Sequence, residues 1–179
     1  MNISDEIAKR ASDIETRIRR FLPEQYEYQK TIVDAMSYSV LAGGKRLRPM
    51  LMEAAYQMFD GIGQDIDSFM AAIEMIHTYS LVHDDLPAMD NDEFRRGRKT
   101  TWTVYGAGMA VLAGDGLLNL AFETAAGAFS YAKDFETSGK IARAIQILGA
   151  KSGVRGMIGG QTADMEAEDG KNPLTEELL

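Results

Sequence analysis

Apolar side chains between residues 66 and 85 return at helical spacing: Ile66, Phe69, Met70, Ile73, Ile76 and Leu81. Steps of three and four keep one face of a 3.6-residue helix apolar. The same period runs through residues 4–21, with Ile7, Ala11, Ile14, Ile18 and Leu22, and breaks at Pro23. Further helices are expected over 25–41, stopped by Gly43-Gly44, and over about 50–59, with Pro49 in the first turn and Gly61 and Gly63 beyond the end. Three more are expected at about 107–132, 136–151 and 153–167. No stretch alternates as a half-buried strand does, and there is no Asn-Gly hairpin signal. The expected fold class is all-α, with residues 1–179 in one domain. Gly153, Gly156 and Gly159 recur every third residue, which suits close approach of a neighbouring helix.

Charge and composition exclude several functions. The net charge is -8, from 19 Lys+Arg and 27 Asp+Glu. Nucleic-acid and membrane-surface binders need the opposite sign. There is no cysteine, so disulfides, Cys-ligated zinc and thiol catalysis are out. The N-terminus lacks an apolar signal core, and the most apolar stretches are broken by Asp115 or by glycines. A soluble, cytoplasmic protein is expected.

The chemistry concentrates in residues 76–100, IHTYSLVHDDLPAMDNDEFRRGRKT. Asp84, Asp85, Asp90 and Asp92 gather at the end of an apolar helix. A helix C-terminus already carries partial negative charge, so these carboxylates call for a cation. All-oxygen donors select a hard ion such as Mg²⁺. On an unbroken helix Asp84 and Asp90 would lie about 120° apart. Pro87 breaks it, because its ring would clash with the carbonyl of His83, so Leu86–Met89 is expected to fold Asp90 back toward Asp84. An EF-hand is excluded by Leu86 at the third ligand position. Arg95, Arg96, Arg98 and Lys99 follow. Alone, such a run suits a solvated face; beside four aspartates it points to a metal–diphosphate site.

A second basic group, Gly43-Gly44-Lys45-Arg46-Leu47-Arg48-Pro49, leads into a helix. Loop amides, a helix N-terminus and three cations suit an anion, and a surface turn suits them equally. It is not a Walker A loop, and Gly106-Ala107-Gly108 completes no dinucleotide fingerprint. His77 lies seven residues before Asp84, on the same face and about 10 Å below it. His83-Asp84 alone would suit a metal phosphohydrolase, but the chain has only His77 and His83.

Four blocks together resemble the trans-prenyltransferase (polyprenyl diphosphate synthase) family: GGKRLRP at 43–49, the long block at 76–100, LAGDGLL at 112–118 and GGQTADM at 159–165. The resemblance implies an isoprenoid synthase-type helical bundle around a deep central cavity, usually a homodimer. It also implies head-to-tail condensation of isopentenyl diphosphate with an allylic diphosphate such as dimethylallyl or geranyl diphosphate. By resemblance, Asp84 and Asp90 are Mg²⁺ ligands with Asp85 beside them, and Arg95 holds the allylic diphosphate. Lys45, Arg48, His77 and Arg96 hold isopentenyl diphosphate, and Gln161 and Asp164 sit in a matching stretch of less defined role. Tyr79, five before Asp84, and the Pro87-Ala88 insertion imply a fifteen-carbon farnesyl product, with a geranylgeranyl synthase as the nearest alternative. Ideal helix geometry puts Ser80 more directly beneath Asp84 than Tyr79.

The family's second aspartate-rich motif is missing. Residues 101–179 contain no further Asp-Asp-x-x-Asp; Glu166, Glu168 and Asp169 suit a solvated turn instead. PLTEELL resembles a helix just begun, capped by Thr175 with Glu176 and Glu177 in its first turn. The chain is therefore expected to be the N-terminal part of a longer enzyme, truncated before its C-terminal helices, and inactive alone. A noncatalytic regulatory subunit and a terpene cyclase are the competing classes. The intact first motif argues against the former, and the cations at Lys45 and Arg48 against the latter.

Overall fold

The computed structural model describes residues 2–24, 28–168 and 170. It is built from helices: α1 (Ile3–Arg19), α2 (Lys30–Val40), α3 (Leu47–Met58), α4 (Asp65–Asp84), α5 (Thr101–Tyr105), α6 (Ala107–Gly127), α7 (Phe135–Ser152) and α8 (Met157–Glu168). A 3₁₀ turn at Ala128–Tyr131 extends α6. The expected all-α class holds. Among the described residues no helix is long and apolar enough to cross a membrane. The chain divides into two compact units, 1–132 and 133–179.

In the first unit α4 is the hub. It packs most extensively on α6, then on α3, with α1 and α2 also against it. Phe69, Met70, Ala71, Ala72, Met75, Ile76, Tyr79 and Val82 are all buried, so α4 is covered on nearly every side. Ala110, Ala113, Leu117 and Ala121 on α6 are buried too, and their small side chains let the helices approach closely. The N-terminal helix behaves as its periodicity predicts: Ile14 and Ile18 are buried, and the Asn2 side chain caps the start by accepting from the Ser4 amide at 3.1 Å.

Three expectations need correction. The third helix begins at Leu47 rather than near 50, because Arg46 in a left-handed conformation serves as its N-cap. A short antiparallel ribbon, β1 (Phe94–Arg95) and β2 (Arg98–Lys99), was not expected. Two residues per strand show no alternation, and the turn uses Arg96-Gly97, both at positive φ (54° and 76°), in place of Asn-Gly. The last helix starts at Met157, after a turn, rather than at 153.

In the second unit, Asp134 caps α7 by accepting from the Thr137 amide at 2.7 Å. A Cβ at Gly156 would overlap the Lys151 carbonyl, and one at Gly159 the Val154 carbonyl, so the crowding comes from the end of α7 and the turn after it. The start of the expected 25–41 helix at 25–27, together with Asp169, Thr175, Glu176 and Glu177, lies outside the described residues.

Candidate active site

The helix breaks where proline requires. Asp84 is the last residue of α4 and Asp85 its C-cap. The Leu86 amide still donates to the His83 carbonyl at 3.1 Å, and then the chain turns back. The Asp90 amide donates to the Asp84 carbonyl at 2.8 Å, which brings the two expected metal ligands to adjacent backbone positions. Burial pushes the Asp84 carboxyl above its usual range, and the charge on Asp90 adds to it; Arg95 and His83 oppose. Two coupled carboxylates with hard oxygen donors fit Mg²⁺, which is usually held by one or two carboxylates plus water and phosphate oxygens. No larger protein cage is involved: among the described residues no three acidic or histidine groups cluster as a metal site.

Asp85 points elsewhere. It is 4% exposed, and Arg95 Nε donates to its Oδ1 at 2.6 Å. Burial raises its carboxyl too, against the Arg95 hydrogen bond. Arg95 also lies 3.7 Å from Asp92. The Asp92 backbone is itself anchored, since its carbonyl accepts from Trp102 Nε1 and Thr100 Oγ1, each at 2.8 Å.

The charge on Asp84 has a stability consequence. A carboxyl whose pKa is raised by folding binds its proton more tightly in the folded state. Its stabilising contribution is then complete below the unfolded value and is lost as pH rises through the folded one. Asp84→Asn is therefore expected to raise the melting temperature at pH 7 and to leave it unchanged near pH 3. Thermal unfolding followed at both pH values checks this.

The basic group assembles around a separate cavity of about 410 Å³. Lys45, Arg48, His77 and Arg96 all line it, together with Arg46 and Glu74. A smaller cavity of about 50 Å³ shares His77, Arg96, Arg46 and Glu74 and reaches Asp85 and Arg95, so the basic and acidic groups adjoin. The glycine loop permits this convergence. Gly44 has φ +139°, and a Cβ there would overlap Arg96 Nη1, which donates to the Gly43 carbonyl. Burial and the Arg48 guanidinium hold His77 below the ordinary histidine value; Glu74 opposes, and Arg96 and Arg46 add to the lowering. Near pH 7 it is therefore a neutral imidazole among guanidiniums.

Below Asp84, Tyr79 is buried, and burial together with the Asp84 charge raises its hydroxyl. Ser80 is half-buried and donates to the His77 carbonyl at 2.9 Å, within its own helix. The Tyr79 ring meets His83 edge-on, with centroids 5.8 Å apart. His83 Nε2 lies 3.1 Å from the Val111 carbonyl and 3.9 Å from Asp115, which fixes the imidazole against α6. Gly114 makes the room, since a Cβ there would overlap the ring. Gly114→Ala is expected to cost about 1–3 kcal/mol by overpacking. Urea unfolding measures it, and His83→Ala in the same chain should relieve most of the loss.

Gln161 and Asp164 lie on α8 of the second unit, Gln161 half-buried and Asp164 exposed. Sequence reasoning missed Glu74 and Glu15, which hold Arg46. The available signal was Glu74, the one carboxylate between Asp67 and Asp84 on a largely apolar helix.

Comparison with known proteins identifies relatives of the chain. The family described as Polyprenyl synthetase matches residues 29–178. A farnesyl diphosphate synthase of Haemophilus influenzae is 43% identical over 167 residues, covering 91% of this chain and 55% of its own length. The heterodimeric geranylgeranyl pyrophosphate synthase large subunit 1 of Arabidopsis thaliana is 47% identical over 137 residues, covering 76% of this chain and 36% of its own. The solved apo structure of an FPP/GFPP synthase from Zymomonas mobilis superposes with a TM-score of 0.88 at 36% identity, covering 98% of this chain and 62% of the other. The chain thus spans little more than half the length of the bacterial relatives it matches. With its four motifs in order and that fold, the chain belongs to the polyprenyl synthetase family.

Proposed function

We propose that this chain carries the substrate-binding half of a trans-prenyltransferase that joins isopentenyl diphosphate to an allylic diphosphate and forms farnesyl diphosphate. The supporting observation is the convergence of Lys45, Arg48, His77 and Arg96 on one cavity beside the Asp84–Asp90 bend. Two anionic head groups need two cationic sites, and a cluster of guanidiniums beside a pair of carboxylates supplies them.

In this reading Lys45, Arg48 and Arg96 bind the diphosphate of isopentenyl diphosphate, with neutral His77 as a hydrogen-bonding group that does not repel them. Arg95, aimed by Asp85, holds the allylic diphosphate. Asp84 and Asp90 would hold Mg²⁺, which when bound supplies charge neutralisation of the departing diphosphate. The allylic C–O bond breaks, its electron pair leaving with the diphosphate. The isopentenyl double bond closes the new C–C bond on the allylic cation, and the isopentenyl C2 proton passes to the departed diphosphate, restoring a double bond. The buried α4–α6 wall excludes water that would otherwise capture the cation.

Tyr79 beneath Asp84 and the Pro87-Ala88 insertion favour a fifteen-carbon product. The similarity to the Arabidopsis geranylgeranyl synthase subunit keeps a twenty-carbon product as the second reading. Calorimetric titration with isopentenyl diphosphate tests the site. Binding is expected, with Lys45→Ala and Arg48→Ala each weakening it about tenfold, the worth of one charge-assisted hydrogen bond. No binding, or binding indifferent to both substitutions, sinks the proposal. Product length is read by chromatography of dephosphorylated products, in a protein that also supplies the second aspartate-rich motif.

A further inference from the structure

Lys45, Arg46 and Arg48 are three cations within four residues, yet the structure sends them two ways. Arg46 turns inward and is 4% exposed. Its backbone is left-handed, φ 49° and ψ 35°, which a non-glycine residue holds only where its surroundings over-determine it. Here they do. Nη1 donates to Glu74 Oε1 at 2.6 Å; Nη2 donates to Glu15 Oε2 at 2.8 Å and to the Val40 carbonyl at 2.7 Å. One guanidinium thereby ties the loop to α4, α1 and the end of α2. The Arg46 carbonyl accepts from Met50 at 3.1 Å and opens α3, whose first turn carries Arg48 and seats the fully buried Pro49.

Glu74, 3% exposed, leaves Oε2 without a partner among the described residues, and Arg46 leaves Nε so. Both residues line the cavity that Lys45 and Arg48 also line. A buried ion pair adds little to stability over a well-packed apolar pair, so its presence here calls for another role. We infer that the buried Arg46–Glu74 pair is a positioning device for diphosphate binding: it sets the glycine-loop backbone so that Lys45 and Arg48 meet the ligand, while Arg46 itself stays out of contact with it. The inference rests on the cavity being the diphosphate site proposed above.

The test is calorimetric titration of the chain with inorganic diphosphate, in wild type, Lys45→Ala and the double variant Arg46→Met/Glu74→Met. The double variant removes one charge of each sign, so net charge is unchanged, and apolar replacement of a buried pair is commonly neutral or stabilising. The part-exposed Glu15 can turn to water. Wild type is expected to bind and Lys45→Ala to bind weakly. The double variant should keep its melting temperature yet lose about tenfold or more in affinity, as when a charge-assisted contact is misplaced. Wild-type affinity in the double variant overturns the positioning role and leaves the cavity assignment standing. No binding by wild type overturns both. Should the double variant lose its helical circular dichroism, Arg46→Lys decides. It keeps the charge, but a compact ammonium does not reproduce the planar fork that sends Nη1 to Glu74 and Nη2 to Glu15 and Val40, so affinity should still fall, and unchanged affinity overturns the proposal.

Discussion

With Asp84 changed to Asn, the Kd for Mg²⁺ measured in the presence of geranyl diphosphate is expected to rise about 100-fold or more. Residues that merely support metal ligands are typically worth about 10–100-fold, so loss of a ligand should cost at least the upper figure. The α4 break sets Asp90 against Asp84, and among the described residues no third acidic or histidine group joins them as a metal cluster. Asp85→Asn separates the roles. Its partner is Arg95, so it should weaken geranyl diphosphate about tenfold, with Mg²⁺ or without, the worth of one charge-assisted hydrogen bond. Titrations of both variants, with and without the metal, distinguish the two. Equal loss of Mg²⁺ binding in both would mean that Asp85 is a ligand rather than the residue that aims Arg95.

The second large effect is on stability. Arg46→Met alone is expected to destabilise the chain by about 3–5 kcal/mol, because it strands Glu74 as a buried charge without its counterion. For a chain of this size that corresponds to a melting temperature lower by roughly 6–20 °C. Arg10→Met is the control. Its pairing with Glu6 is exposed and one helical turn long, so no measurable change is expected. A drop for Arg46→Met no larger than for Arg10→Met would show that water reaches the pair and that its burial does not matter.

Much of this molecule could be read before it was seen. The period of α4 and the steric effect of Pro87 are local, and local rules suffice for them: the helix ends at Asp84 and the chain folds back as the proline demands. The convergence of Lys45, Arg48, His77 and Arg96 came from a resemblance, and spacing alone left the glycine loop as an equally good surface turn. What stayed hidden depends on partners distant in sequence. Arg46 reads as a third anion ligand until Glu74, 28 positions away, is found beside it. Asp85 likewise finds its hydrogen-bond partner, Arg95, ten residues on. The ribbon escaped because two-residue strands have no period, and a left-handed arginine in its turn is not a recognised hairpin signal.

That small ribbon distributes charge. Arg95 goes to Asp85, Arg96 to the Gly43 carbonyl, and Arg98 stacks 4.3 Å above the Tyr38 ring. Three guanidiniums from four consecutive residues leave for three destinations, although Arg95 and Arg98 face each other directly across the ribbon. Adding a single residue between Arg95 and Arg98 would break their pairing, slip the second strand by one position and carry Arg98 away from Tyr38. Surface loops commonly tolerate insertions; this one should behave as a fixed-length spacer, with its chemistry written in its residue count.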